Sequence, residues 1–277
     1  MRLGSKGEVE IYLGSSGTVY TEKYLLSRRS DDRWCSLRSP KVLFYDTILS
    51  IASGIGEYLP APPRYGTVIF DLDGTLLDTL QDLAAAVDHA LEGRGFPLHT
   101  LQEYRSMVGH GVRNLVKNAL PAEVRQDEAL VDGCLADFTA YYTAHIDDRT
   151  RPYPGMAGLV EKLAGRGVRL AVASNKFQEG AEKLVAEFFP GIRFAAVLGN
   201  RPGCPLKPDP EIVNSVLRVT GSEKGAAVLV GDSPTDMKTA AAGGIAAIAV
   251  TWGYREMPPS ASYALCSTPQ ELLSLLL

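Results

Sequence analysis

Two aspartates one residue apart, Asp71 and Asp73, follow the apolar run that opens the stretch TVIFDLDGTLLDT. In an extended chain residues i and i+2 face the same side, so the two carboxylates crowd each other and oppose each other's ionisation. A bound cation relieves that conflict. So does a division of labour in which one group is charged and the other protonated. Gly74 permits a tight turn directly after the pair. A solvated strand end before a turn reads the same way, and DxD pairs also serve as metal–nucleotide clamps in sugar transferases. Taken alone, the pair leaves its chemistry open.

Three later segments narrow the choice. ASNK places Ser174 and Asn175 after an apolar run, where a hydroxyl and an amide could bind phosphate oxygens. Ser-Asn is also ordinary turn chemistry. PLKPDP holds Lys207 between prolines, either as a fixed positive charge for a phosphate or as a surface lysine in a turn. VLVGDSPTDM brings Asp232 to the end of another apolar run, with Asp236 four residues on. Two more carboxylates there need a counter-charge, and a hard oxygen-binding cation such as Mg2+ supplies one.

These residues need elements to position them. The runs TVIF, VRLAVAS, FAAVLG, AAVLVGD and GIAAIAV are nearly continuous in hydrophobicity, as strands buried on both faces should be. Helical patterns lie between the later ones, several closed by glycine. The alternation predicts an α/β fold, a doubly wound, mostly parallel sheet whose ligands bind at the carboxyl ends of its strands. Between Asp78 and about Asp148 only helical signals occur, four in all, including a Thr100–Glu103 capping box. We therefore expect a core of residues 65–79 and 149–277 and a helical cap of 80–148, inserted after the first core strand and able to cover the site.

In order, the chain reads DxDGT, helical insertion, S-N, K-P, GDxxxD. Over residues 66–277 it resembles the haloacid dehalogenase superfamily of phosphohydrolases, with a Rossmann-like core and a cap between the first and second motifs. The resemblance implies an Mg2+-dependent enzyme in which Asp71 is the nucleophile and accepts the phosphoryl group. Asp73 would be general acid and then general base, its backbone carbonyl also binding the metal. Thr75 would orient Asp73 or the phosphate. Ser174 and Lys207 would hold the transferring group. Asp232 would be the second metal carboxylate, and Asp236 would support the metal's waters or Lys207.

The cap should select the leaving group. Its loop MVGHGVRNLV carries Gly109, His110 and Gly111 just before a helix, where exposed amides can receive an anion and Arg113 could add charge. A plain glycine turn between two helices fits the same letters. With DLDGTLLDT and the late VTWGY, the loop is similar to the phosphoglycolate phosphatase-like branch, which implies a small phosphate monoester such as 2-phosphoglycolate. Related branches act on pyrophosphate or nucleoside monophosphates, and a β-phosphoglucomutase-like transfer between sugar hydroxyls shares the core. A non-catalytic phosphate-binding or regulatory protein, like a receiver domain, is the alternative of another class. Receiver domains lack the cap and the second aspartate of the pair.

Bulk properties agree with a small-molecule enzyme. The 277 residues carry a formal net charge of −4, which gives no reason to expect nucleic acid. No apolar run approaches the roughly 20 residues of a membrane helix, and no signal peptide is evident at the start. Four scattered cysteines without a CxxC pair suit a reducing cytoplasm. Residues 1–64 carry no motif. They are expected to be a poorly ordered or accessory extension, with a short hairpin near LGSKGEVEIYLGSSGTVY and a proline-rich linker YLPAPPRYG.

Overall fold

The computed structural model describes residues 62–277, preceded by the backbone of four strands: β1 (Arg2–Leu3), β2 (Glu8–Ser15), β3 (Thr18–Arg28) and β4 (Trp34–Ser36). The chain forms two units, Met1–Ala61 and Pro62–Leu277. In the first, β2 and β3 pair antiparallel from Glu8 opposite Leu25 to Ser15 opposite Thr18, within a sheet of order β1-β2-β3-β4. The linker expected at 58–66 begins outside the described residues.

The second unit is built on six strands: β5 (Thr67–Phe70), β8 (Arg169–Phe177), β9 (Phe194–Asn200), β10 (Ala227–Gly231), β11 (Ala246–Val250) and β12 (Ala264–Cys266). Their order is β12-β11-β10-β5-β8-β9, and every neighbouring pair is parallel. Central β5 is buried along its whole length. Side-chain alternation divides the core between the two faces. Val68, Phe70, Leu170, Val172, Val228 and Val230 belong to one apolar cluster, whereas Ile69, Ala171, Ala173, Ala227 and Leu229 belong to the other. The first face is covered by α5 (Met156–Gly165), α6 (Gln178–Phe188) and α9 (Pro269–Leu276). The second is covered by α7 (Glu211–Thr220) and α8 (Pro234–Gly243). The sheet is therefore doubly wound and buried on both sides, as its unbroken apolar runs require.

Four helices lie between β5 and β8: α1 (Leu80–Glu92), α2 (Leu101–Met107), α3 (Val112–Ala119) and α4 (Glu128–His145). The capping box at Thr100 and Glu103 is formed. Tyr104, Phe138 and Tyr142 fill the interior of this insertion and join the first core cluster. The chain enters and leaves through a short antiparallel pair, β6 (Leu77–Asp78) against β7 (Arg151–Pro152). Arg151 and Pro152 thus pair with the entry segment before the chain returns to the parallel sheet.

Candidate active site

The motifs converge where the parallel strands end. The backbone N–H of Asp71 still donates to Val230 O at 2.9 Å, so the first aspartate continues β5 against β10. The chain then turns sharply through Gly74, at φ +85°. A Cβ on Gly74 would stand 2.5 Å from a carboxylate oxygen of Asp232, so glycine is required both by conformation and by contact. Asp232 follows β10. One of its oxygens accepts from the backbone N–H of Tyr254 at 2.6 Å, the other from Thr75 Oγ1 at 3.3 Å.

Lys207 binds the cluster together. Its buried ammonium lies 2.9 Å from Asp71 Oδ1 and 2.6 Å from Asp236 Oδ1. Asp236 also closes a capping box at the start of α8, accepting from the backbone N–H and the hydroxyl of Ser233. Asp71, Asp232 and Asp236 each bring an oxygen within 4.8 Å of the others. Burial lifts the Asp71 carboxyl to about 8, with Lys207 pulling it down and Asp236 and Asp232 pushing it up. Burial and then Asp236 lift Asp232 to about 6, against the Tyr254 amide, Lys207 and Thr75. Burial disfavours the Lys207 charge, but Asp236 and Asp71 outweigh it and hold its pKa above the ordinary lysine value. Three buried carboxylates against one ammonium leave an all-oxygen, electronegative pocket that fits a hard divalent cation.

Asp73 stands apart from this cluster. Its Oδ1 accepts from Thr79 Oγ1 at 2.7 Å and from Lys176 Nζ at 3.0 Å. Lys176 in turn donates to Tyr142 OH of α4 at 2.6 Å. Tyr254 OH accepts from the Thr79 backbone N–H at 2.7 Å. Burial keeps both tyrosine hydroxyls protonated well beyond the usual tyrosine range. Asp71 repeats the pattern, because Leu72 N–H and Lys207 both address its Oδ1. The Oδ2 atoms of both aspartates take no hydrogen bond from the described residues. Asp71, Asp73, Ser174, Lys176, Lys207 and Asp232 line one pocket with Gly109 and Gly111 of the insertion.

Several expected residues are placed differently from their expected roles. Thr75 was expected beside Asp73 or a phosphate. The turn at Gly74 carries it to Asp232, and Thr79 occupies the place beside Asp73. Asn175 was expected to bind phosphate, yet its amide is fully engaged. Its Oδ1 accepts from Lys207 N at 2.8 Å, and its Nδ2 donates to Lys207 O and Gly109 O. It fixes the lysine loop and the insertion loop to the end of β8. Ser174 is buried, and its Oγ accepts only the Lys176 N–H at 3.3 Å, so its own proton is left to donate. In the insertion loop Gly109 and Gly111 line the pocket, with φ +117° and +83°. His110 and Arg113 do not line it. Arg113 points to the exposed side of α3, where it pairs with Glu128 and Asp132. No local pattern marks Lys176, Thr79 or Tyr254 as site residues, although Lys176 sits within ASNK and Tyr254 within VTWGY.

A family model described as haloacid dehalogenase-like hydrolase matches residues 68–250. A phosphoglycolate phosphatase of Mesorhizobium japonicum is 36% identical over 200 residues, which is 70% of this chain and 88% of that protein. Phosphoglycolate phosphatase 1 of Pseudomonas aeruginosa is 34% identical over 199 residues, 71% of this chain and 73% of its own. A crystal structure of a Lactobacillus delbrueckii subsp. bulgaricus protein superposes with a TM-score of 0.71 at 33% identity, covering 77% of this chain and 99% of the other. The match spans the first and last motif strands together with the insertion between them: the chain belongs to the haloacid dehalogenase-like hydrolases.

Proposed function

We propose that this protein is an Mg2+-dependent phosphatase acting on a small phosphate monoester of the 2-phosphoglycolate type. The observation that carries the reading is the paired presentation of Asp71 and Asp73. Each has Oδ1 anchored by a lysine and a second donor, and each keeps Oδ2 free in one pocket. One carboxylate can then attack phosphorus while the other handles the proton of the leaving oxygen.

Lys207 and the Ser174 hydroxyl are suited to hold the transferring group and to stabilise charge on its oxygens. Asp71, Asp232 and the backbone carbonyl of Asp73 would hold Mg2+, with Asp236 keeping Lys207 in place. When bound, the cation would offset repulsion between the attacking carboxylate and the anionic ester. Asp71 Oδ2 forms a bond to phosphorus as the ester P–O bond breaks, and Asp73 Oδ2 gives its proton to the departing alkoxide. Asp73 then takes a proton from water, which attacks the aspartyl phosphate and releases inorganic phosphate. Gly109 and Gly111 line the same pocket, and their backbone amides would suit the leaving group's far end. The named relatives support the choice of 2-phosphoglycolate among small esters.

The test is phosphate release from 2-phosphoglycolate with and without Mg2+, for the wild type and Asp71→Asn. Metal-dependent release that Asp71→Asn abolishes is the expected result. A folded Asp71→Asn protein that keeps normal turnover, without deamidation back to aspartate, rules out the covalent route. Folded wild type with no metal-dependent release would favour a phosphate-binding protein.

A further inference from the structure

Lys176 is a buried ammonium that the four motifs leave unassigned. It lies at the end of β8, where pairing with β9 becomes irregular between Ala173 and Phe177, an arrangement that re-aims side chains next to a site. Its side chain is 1% exposed, yet it lines the pocket. Among the described residues, Lys176 and Lys207 supply all the cationic side chains of that lining.

An ammonium has three donors and no acceptor. Lys207 directs two toward Asp71 and Asp236, at the nucleophile's end of the pocket. Lys176 directs two toward Asp73 and Tyr142, at the proton-transfer end. Each has one donor left over. Asp73 Oδ2 must meet the leaving oxygen, so a cation fixed on Asp73 Oδ1 stands on the leaving-group side of phosphorus. The two partners of Lys176 leave its third N–H unused in a nearly closed space, where an unsatisfied donor of a charged group is costly. The tyrosine hydroxyl and ring of Tyr142, 4.7 Å from the ammonium to the ring centroid, provide only dipoles.

We propose that Lys176 is a specificity-determining residue whose remaining N–H binds a carboxylate carried by the leaving alcohol. The substrates favoured are phosphomonoesters with a carboxylate bonded directly to the ester carbon. Because Tyr142 belongs to α4, the insertion fixes this cation directly as well as shaping the pocket. The inference rests on the phosphatase reading and deepens it.

The experiment compares kcat/KM for 2-phosphoglycolate and for 2-hydroxyethyl phosphate, which differs by having a neutral hydroxymethyl in place of the carboxylate. Lys176→Met should lower both values, since Asp73 loses a neighbour. The fall on 2-phosphoglycolate should be about 30-fold larger, the scale of one charge-assisted hydrogen bond. Lys176→Arg should recover part of the preference. A substrate ratio unchanged to within about threefold overturns the inference and leaves Lys176 as a positioning residue for Asp73. If Lys176→Met does not fold, inhibition of wild-type p-nitrophenyl phosphate turnover decides the matter. Glycolate should inhibit at least about tenfold more strongly than ethylene glycol, and equal inhibition overturns the inference. Wild type that releases phosphate from none of these esters would sink the phosphatase reading itself, an outcome distinct from an unaltered ratio in an active enzyme.

Discussion

Thr79 Oγ1 donates to Asp73 Oδ1 at 2.7 Å, at the point where the chain leaves β6 for the first helix of the insertion. The same hydroxyl lies 3.1 Å from Tyr254 OH, and Thr79 is fully buried. The proton-transfer residue of the proposed mechanism is thereby tied to the entry of the cap. Thr79→Val keeps the shape and removes the hydroxyl. Steady-state kinetics with p-nitrophenyl phosphate should show kcat about tenfold lower and KM little moved, the scale of one lost hydrogen bond acting on a catalytic group. Thr79→Ser should restore most of the rate. A wild-type kcat in Thr79→Val would mean that Lys176 alone fixes Asp73.

The turn at Gly74 gives a second prediction. Gly74→Ala places a Cβ 2.5 Å from an oxygen of Asp232 in a left-handed backbone conformation. The conformational cost alone is about 1–2 kcal/mol, and Asp232 must move besides. Urea unfolding should show at least that loss, and the rise in Tm on adding Mg2+ should shrink because a carboxylate of the cluster is displaced. An undiminished Mg2+ shift would show that the cation does not depend on the position of Asp232.

What the sequence revealed and what it hid follow from range. Asp71, Ser174 and Asp232 could be read as neighbours because each follows an apolar run, and a parallel sheet delivers the ends of such runs to one edge, whereas Lys207 stood out by its flanking prolines. The helical insertion was legible because its periodicity is uninterrupted between two recognisable strands. Lys176 was not, since its partners Asp73 and Tyr142 are 103 and 34 residues away and no local pattern links them. Arg113 and Asn175 have partners that the sequence does not display, for a related reason. Charge and amide chemistry were visible, but the competing partners Glu128, Asp132 and the Lys207 backbone were not. Strand β12 was missed because two of its three residues are exposed, which removes the apolar signature of its neighbours.

Protonation gives a third prediction. Asp71 at about 8 and Asp232 at about 6 both lie above the ordinary carboxylate range through burial. In the metal-free protein the folded state therefore binds protons more tightly than the unfolded state. The contribution of these two groups to stability is full below about pH 4 and is lost as pH rises through about 6 and 8. A divalent cation must displace those protons to bind. Calorimetry of Mg2+ binding at pH 6.5 in two buffers of different ionisation enthalpy should show net proton release, and affinity should tighten between pH 6 and pH 8. Binding without proton exchange at pH 6.5 would place the cation away from these two carboxylates.

The last prediction concerns the return from the insertion. Asp82, in the first turn of α1 and 3% exposed, accepts four contacts from the exit segment. Both its oxygens take the Arg149 N–H at 3.0 Å, and Oδ2 also takes the N–H and the hydroxyl of Thr150 at 2.8 Å each. One buried carboxylate thus holds the exit segment just before β7 to the incoming helix, beside the β6–β7 pair. Asp82→Ala leaves two backbone N–H groups without their acceptor and should cost about 3 kcal/mol, the scale for breaking a buried charged hydrogen-bond network. Hydrogen exchange locates the effect: Arg149 and Thr150 should gain more exchange than the central strand β5. If those amides exchange no faster than β5 in a destabilised variant, Asp82 supports the global fold and has no particular part in fastening the exit segment.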